Sequence, residues 1–203
     1  MKVAIMESLG ITEEELNARK APFEEKGVEF VSYPKTTDVP TLIDEAKDAD
    51  AMIIANMPMP NEVISECKNL KYVDVAFTGV DHVGLDACKA NNVAVSNASG
   101  YSNEAVAELV IEMALSLYRN VPQVEQRVRD LSTKDGLVGN EIKGKTVGII
   151  GLGKIGTRSA ELFHAFGANI LAQSRTNHPD APAYVKQVSQ EELLKESDIV
   201  VLH

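Results

Sequence analysis

Three glycines, Gly151, Gly153 and Gly156, stand in the spacing GxGxxG directly after the short apolar run Thr146–Ile150. Residues of this type do their chemistry through the backbone. The first glycine permits a tight turn out of a strand. The second lets the main chain approach a pyrophosphate, and the third lets the following helix pack close to the strand. The free N–H groups at the start of that helix then bind phosphate, helped by the helix dipole. The surroundings fit. Thr146–Ile150 has the β-branched content of a buried parallel strand. A helix is predicted over roughly Ile155–Phe166, with Ile155, Ser159, Leu162, Phe163 and Phe166 on or near one face and Gly167 as its C-cap glycine. Asn169–Gln173 is the next strand. Strand, glycine loop, helix and strand in one short unit give the motif its weight.

The second strand of such a unit usually ends in a carboxylate that binds the ribose 2′-hydroxyl of NAD. Here it runs into Gln173-Ser174-Arg175-Thr176. A small hydroxyl followed by a guanidinium suits a 2′-phosphate, because Arg binds phosphate through a fork of donors. The sequence therefore favours NADP over NAD; a solvated loop charge is the other reading of Arg175. A second place for ligand chemistry is Thr78-Gly79-Val80-Asp81-His82. It follows the predicted strand Tyr72–Phe77, and ligands on parallel sheets bind at the carboxyl ends of strands.

Stepping along the chain, strands and helices alternate. Strands are expected at Lys2–Met6, Val28–Tyr33, Ala51–Ala55, Tyr72–Phe77 and Val93–Ser96. Between them fall helices at Thr12–Lys26, from Asp38 and Pro40 through Lys47, at Asn61–Lys68 and at Leu85–Ala90. That alternation implies a parallel sheet covered on both faces. Ser102–Asn120 is the longest helix. Its only polar positions from Ala105 to Tyr118 are Glu108, Glu112 and Ser116, a narrow wet stripe on a helix otherwise meant for burial. It reads as a bridge between two lobes and part of a subunit interface. A second helix, Pro122–Leu131, carries Pro at its first position. Gly139–Thr146 satisfies GxxxxGK[ST] letter for letter, but it precedes a strand instead of following one, which argues against nucleotide hydrolysis. Asn97-Ala98-Ser99 matches a glycosylation pattern with nothing else to support secretion.

Composition bounds the function. The 203 residues have room for one large or two small domains, and 44% hydrophobic content supports a real core. A formal charge of −10 argues against nucleic acid. Cys67 and Cys88 have no metal spacing and read as reduced, buried thiols of a cytoplasmic protein. Met1-Lys2 leads straight into a strand, so no signal peptide is expected, and no segment is apolar enough to span a bilayer.

Together these residues resemble the D-isomer-specific 2-hydroxyacid dehydrogenases along the whole chain. The matching pieces are Thr78–Asp81, Val95–Tyr101, Glu104–Glu108, Leu137–Gly151 and Ser197–His203. Their joint order is far more specific than GxGxxG alone. Ser99 stands where many members have Pro, and Ser174 where NAD-dependent members have Asp. The resemblance implies an α/β protein with a flavodoxin-like substrate lobe (residues 1–101) and the first half of a Rossmann dinucleotide-binding lobe (residues 102–203). It implies that backbone N–H groups of Thr78, Gly79 and Val80 hold the substrate carboxylate, with Tyr101 at the lobe junction either lining the cleft or serving as a core aromatic. It places Lys154 and Ile155 against the pyrophosphate.

The activity implied is hydride transfer between NADP or NAD and a small 2-oxo or 2-hydroxy acid, in a homodimer. The family's catalytic Arg, Glu and His lie beyond the position matching His203. Of the histidines present, His82 is the best placed for proton transfer, His164 and His178 are packing or surface residues, and His203 lines the nucleotide site. A non-catalytic, nucleotide-sensing binding protein of corepressor type is the alternative on the same fold. Only three strands are expected after Gly144, at Thr146–Ile150, Asn169–Gln173 and Asp198–His203. On that count Thr146–Ile150 is an exposed apolar edge, and residues 1–203 alone are expected to lack dehydrogenase activity and to self-associate through it.

Overall fold

A computed structural model describes residues 1–203, which form two compact units, Met1–Ser99 and Gly100–His203. In the first unit the order is β1 (Lys2–Ile5), α1 (Glu13–Glu24), β2 (Glu29–Ser32), α2 (Val39–Ala46), β3 (Ala51–Ile54), α3 (Asn61–Glu66), β4 (Tyr72–Val75), α4 (Leu85–Ala90) and β5 (Ala94–Asn97). All five strands are parallel, in the order β2-β1-β3-β4-β5. That is the flavodoxin-like order, with its switch point between β1 and β3. Local chemistry sets the helix starts. Thr12 Oγ1 accepts from the Glu15 N–H at 3.2 Å, and Asp38 accepts from the Thr41 N–H at 3.0 Å; each satisfies a donor that the helix itself cannot pair.

The core of this unit lies on one sheet face. Ala4, Met52, Ile54, Val73 and Val75 pack there against Leu42 and Ala46 of α2, Val63 and Ile64 of α3, and Ala87 and Cys88 of α4. Met6, Met57 and Met59 are fully buried there as well, unbranched side chains filling irregular gaps where the strands end. Both cysteines are free and buried, and burial pushes the Cys67 thiol up to about 11. The opposite face departs from the expectation of full cover. Val3 and Ile5 are buried, but α1 contributes no buried residue. Over β4 and β5 this face is polar: Tyr72 Oη donates to Ser96 Oγ at 2.6 Å, which donates to Asp74 Oδ1 at 2.8 Å.

The second unit runs α5 (Asn103–Tyr118), α6 (Val121–Arg129), β6 (Thr146–Ile150), α7 (Lys154–Ala165), β7 (Asn169–Gln173), β8 (Val185–Gln187), α8 (Gln190–Glu196) and β9 (Ile199–Leu202). Its four strands are parallel, in the order β8-β7-β6-β9. This corrects the strand count. β8 is three residues, Val-Lys-Gln, with only Val185 buried, too short and too polar to show a strand pattern. The segment expected as the third strand is therefore the fourth, β9, and it pairs with β6 on the side away from β7. Thr146–Ile150 is a central strand and not an edge; Val147 and Ile149 are fully buried. The order is the 3-2-1-4 portion of a dinucleotide-binding sheet. The apolar edge belongs to β9, where Val200 and Leu202 are exposed.

Three helix details also differ from expectation. The buried face of α7 is Gly156, Ser159, Ala160 and Phe163, while Phe166 is exposed. Val121 precedes Pro122 in α6, after Asn120 has turned the chain in a left-handed conformation (φ 55°). The helix expected over Ser102–Asn120 is α5, Asn103–Tyr118, with Ser102 as its N-cap residue and no side-chain capping bond. The α5 residues Ile111 and Ala114 pack with Ala160 and Phe163 of α7 over β6 and β7. On the other sheet face Gly148 lets α8 come close. A Cβ there would lie 2.2 Å from Ser197 Oγ and 2.5 Å from Leu193 Cδ2. No helix is long and apolar enough to cross a membrane.

Gly148→Ala should therefore destabilise the second unit by about 1–3 kcal/mol, the usual cost of overpacking. Adding Leu193→Ala should recover part of the loss at this site. Urea midpoints of the single and double variants check it; strictly additive losses would mean that α8 does not rest on Gly148.

Candidate functional site

In the second unit the glycine turn lies at the carboxyl end of β6, between the ends of β7 and β9. The fold requires glycine at two of the three positions and leaves the third in open space. Gly151 has φ 101°, and a Cβ on it would lie 2.4 Å from the His203 carbonyl oxygen. A Cβ on Gly156 would lie 1.9 Å from the Gly151 carbonyl oxygen, so α7 reaches the turn only because no side chain intervenes. Around Gly153 there is open space: nothing lies within 4 Å of where its Cβ would be. Gly153 is also the N-cap of α7, and no side chain caps that helix. The first N–H groups of α7, from Lys154, Ile155 and Gly156, have no intrahelical acceptors. Of these residues Lys154, with the N-cap Gly153, lines a groove of about 570 Å³ together with Asn103, Glu104, Leu152, Thr157, Arg158, Glu161 and His178. Bare helix N–H groups, a helix dipole and open space at the N-cap are the features of a candidate anion site.

Charge around the groove is unevenly committed. Arg158 Nε donates to Glu104 at 2.8 Å and its Nη1 to Glu161 at 2.7 Å. These bonds hold the arginine charged and tie α7 to the first turn of α5. Lys154 and Arg175 are exposed and make no ion pair. Ser174 Oγ donates to the Thr176 carbonyl at 2.5 Å, closing the loop after β7 on itself. The β7 end is held against the turn, where the Gly151 N–H donates to the Gln173 carbonyl at 2.8 Å. On the other side, His203 Nε2 lies 2.9 Å from Ser159 Oγ of α7. Partial burial of that imidazole pushes its pKa below the usual histidine value. Its ring is thus engaged with the helix that carries the glycine turn.

In the first unit, Thr78, Gly79 and Val80 follow β4 at the carboxyl edge of the sheet. Gly79 is open: a Cβ there would meet nothing within 4 Å. Two contacts fix the loop. Asn97 at the end of β5 donates from Nδ2 to the Thr78 carbonyl at 2.6 Å. The Met59 N–H donates to the His82 carbonyl at 2.8 Å, and the Gly84 N–H returns to the Met59 carbonyl at 2.7 Å. His82 Nε2 is buried with no hydrogen-bond partner. Tyr101 falls in the second unit, exposed, after Gly100 has turned the chain at φ 106°. The structure thus sets Gln173, just before Ser174 and Arg175, and His203 against Gly151 of the turn, leaves Ser174, Arg175 and His203 outside the lining of the groove, and keeps Thr78–Val80 in a loop of the first unit.

Two residues in the first unit escaped the sequence reading. Asn97 matched a glycosylation pattern and fell within the family-like piece Val95–Tyr101, but no role was assigned to its side chain. Glu7 directly follows an apolar strand, and that abrupt change of polarity was the one available signal. Its carboxylate is 4% exposed and takes three hydrogen bonds.

Residues 111–203 match the family described as D-isomer specific 2-hydroxyacid dehydrogenase, NAD binding domain. A D-2-hydroxyacid dehydrogenase (NAD(+)) of Clostridioides difficile is 33% identical over 183 residues, covering 88% of this chain and 49% of that protein. An acyclic imino acid reductase solved with NADPH and D-Arg superposes with a TM-score of 0.88 at 27% identity, over 100% of this chain and 65% of that one. An NAD-dependent formate dehydrogenase of Staphylococcus aureus, solved with NAD, gives 0.83 at 29% identity, over the same 100% and 65%. The chain spans about half the length of the curated relatives it matches.

The glycine geometry separates folding from binding. Gly156→Ala should lower the melting temperature of the second unit, because its Cβ has no room. Gly153→Ala should leave the melting temperature nearly unchanged yet weaken dinucleotide binding at least tenfold, about 1.4 kcal/mol. Calorimetry on both variants checks this, and undiminished binding by Gly153→Ala would remove the turn from the site.

Proposed function

Because the chain belongs to the D-isomer-specific 2-hydroxyacid dehydrogenase family, we propose that the protein transfers hydride between a nicotinamide dinucleotide and a small 2-oxo acid or 2-hydroxy acid. The observation that carries this reading is the uncapped α7 behind the open Gly153. Backbone N–H groups of Lys154, Ile155 and Gly156 hold the pyrophosphate, and Ser174 and Arg175 lie beside the adenosine ribose. When bound, the dinucleotide supplies or accepts the hydride. The backbone of Thr78–Val80 receives the substrate carboxylate, where Gly79 leaves the approach clear. The family's Arg, Glu and His have no matching position among residues 1–203, so the roles proposed for these residues are cofactor and substrate binding. Proton donation to the developing alkoxide and polarisation of the carbonyl then need groups from outside these residues.

NADP is the proposed preference. No carboxylate stands between Gln173 and Pro179, and Arg175 is uncommitted. The relatives named above include an NADPH complex and an NAD complex, so the choice rests on these residues. The test is fluorescence titration of the full-length protein with NADPH and NADH, together with turnover of a panel of 2-oxo acids. NADPH should bind more tightly, and Arg175→Ala should lose about 1–3 kcal/mol of that preference, the scale of a charge-assisted contact. A preference for NADH overturns the cofactor assignment. Nucleotide binding without turnover of any 2-oxo acid favours the nucleotide-sensing alternative.

A homodimer in the cytoplasm completes the proposal. Leu109, Met113 and Leu117 form an exposed apolar line four residues apart along α5, with Val121 and Phe166 exposed nearby. Parallel to that line an apolar groove runs past Ile111, Leu115 and Leu162. Met113→Glu should shift the protein to monomer in sedimentation velocity without changing its far-UV circular dichroism. A dimer unaffected by that charge would put the interface elsewhere.

A further inference from the structure

We propose that Glu7 is a positioning residue for the candidate carboxylate loop, acting through the segment between β3 and α3. The proposal rests on the reading that Thr78–Val80 receives the substrate carboxylate. Glu7 lies just past the end of β1, beside the switch point of the sheet, and is 4% exposed. One carboxylate oxygen, Oε1, accepts from the Ala55 N–H at 2.8 Å and the Met57 N–H at 2.7 Å. The other, Oε2, accepts from Lys35 Nζ at 3.0 Å, and the same ammonium donates to Asn56 Oδ1 at 2.7 Å. Side chains from the ends of β1 and β2 therefore grip three consecutive residues, 55 to 57.

The grip matters because this stretch is neither helix nor strand. Its amides have no ladder to join, and a buried N–H without an acceptor is costly. A carboxylate is the acceptor that takes two such bonds at one oxygen and a cation at the other. Burial opposes its charge, but the Met57 and Ala55 amides and the Lys35 ammonium outweigh burial and hold the carboxyl below the usual carboxylate range.

From Met57 the contacts continue to the carboxylate loop. Met59 pairs with Val83 as an isolated parallel bridge. The Met59 N–H donates to the His82 carbonyl at 2.8 Å and the Gly84 N–H to the Met59 carbonyl at 2.7 Å. The Val83 N–H donates in turn to the Val80 carbonyl at 3.0 Å. Met57 and Met59 are fully buried on either side of Pro58, so this segment has little freedom to absorb a shift. The path from Glu7 to Val80 runs through the Glu7 carboxylate–Met57 N–H bond, the chain from Met57 to Met59, the Met59 N–H bond to His82, the His82–Val83 peptide and the Val83 N–H bond to Val80. Displacing residues 55–57 moves the partner on which residues 80–84 are seated.

The test uses Glu7→Gln, which keeps the shape and one acceptor oxygen but removes the charge that holds Lys35. Lys35→Met is the second variant, should the first fold poorly. Amide exchange by NMR is measured on residues 1–203, and KM and cofactor Kd on the full-length protein. Expected are faster exchange at residues 55–59 and 79–84 with the rest of the unit unchanged, and a KM for the 2-oxo acid raised about tenfold, the scale of a small misplacement, at constant cofactor Kd. Exchange that quickens uniformly over the unit, or stops at Met57, overturns the proposal. Exchange that reaches residues 79–84 with KM unchanged overturns instead the reading that this loop receives the carboxylate.

Discussion

Parallel pairing is the constraint on which everything in this protein depends. Every strand of both sheets runs the same way as its neighbours. Each connection must therefore cross back over a face, and all carboxyl ends of a sheet come out along one edge. The chemistry collects there. In one unit the glycine turn, Ser174-Arg175 and His203 follow β6, β7 and β9. In the other, Glu7, Lys35, Asn56 and Thr78–Val80 follow β1, β2, β3 and β4, and Asn97 ends β5.

That arrangement demands close backbone contacts, and glycine supplies them where the demand is greatest. The Gly156–Gly151 contact brings the start of α7 against the strand end, so its free N–H groups face the groove. Gly148 does the same for α8 on the opposite face of β6. Neither contact is itself a binding interaction. The first sets the start of α7 against the end of β6, and the second seats the C-terminal end of α8 on the sheet. Gly153 has the opposite character, since the fold leaves space around it. The same residue type thus serves close packing at two positions of one motif and leaves open space at the third.

The first unit uses polar side chains where the second uses glycine. Its Thr78–Val80 loop is held by Asn97 and by the Met59–Val83 bridge, and the neighbouring loop by Glu7 with Lys35. A buried carboxylate is tolerated because two amides and an ammonium satisfy it. The unit is correspondingly asymmetric about its sheet: an apolar core under α2, α3 and α4, and a hydrogen-bonded polar strip over β4 and β5.

Much of this was legible in the sequence. The alternation of apolar runs and capped helices gave five strands in the first unit at nearly their observed positions, because short strands and Asp or Thr caps are local features. The order of motifs identified the family, and the spacing of Gly151, Gly153 and Gly156 located the turn. The reading failed where local pattern carries no information. β8 has three residues and one buried side chain, so nothing in its composition marked it, and missing it turned the central strand β6 into a supposed edge. The burial of Phe163 and exposure of Phe166 depended on where α5 lies, not on helical period. The same holds for Glu7 and Asn97. A carboxylate after a strand and an amide at the end of another are unremarkable in one dimension. Only the parallel sheet, by setting β1 beside β3 and β4 beside β5, brings them to the loops they hold.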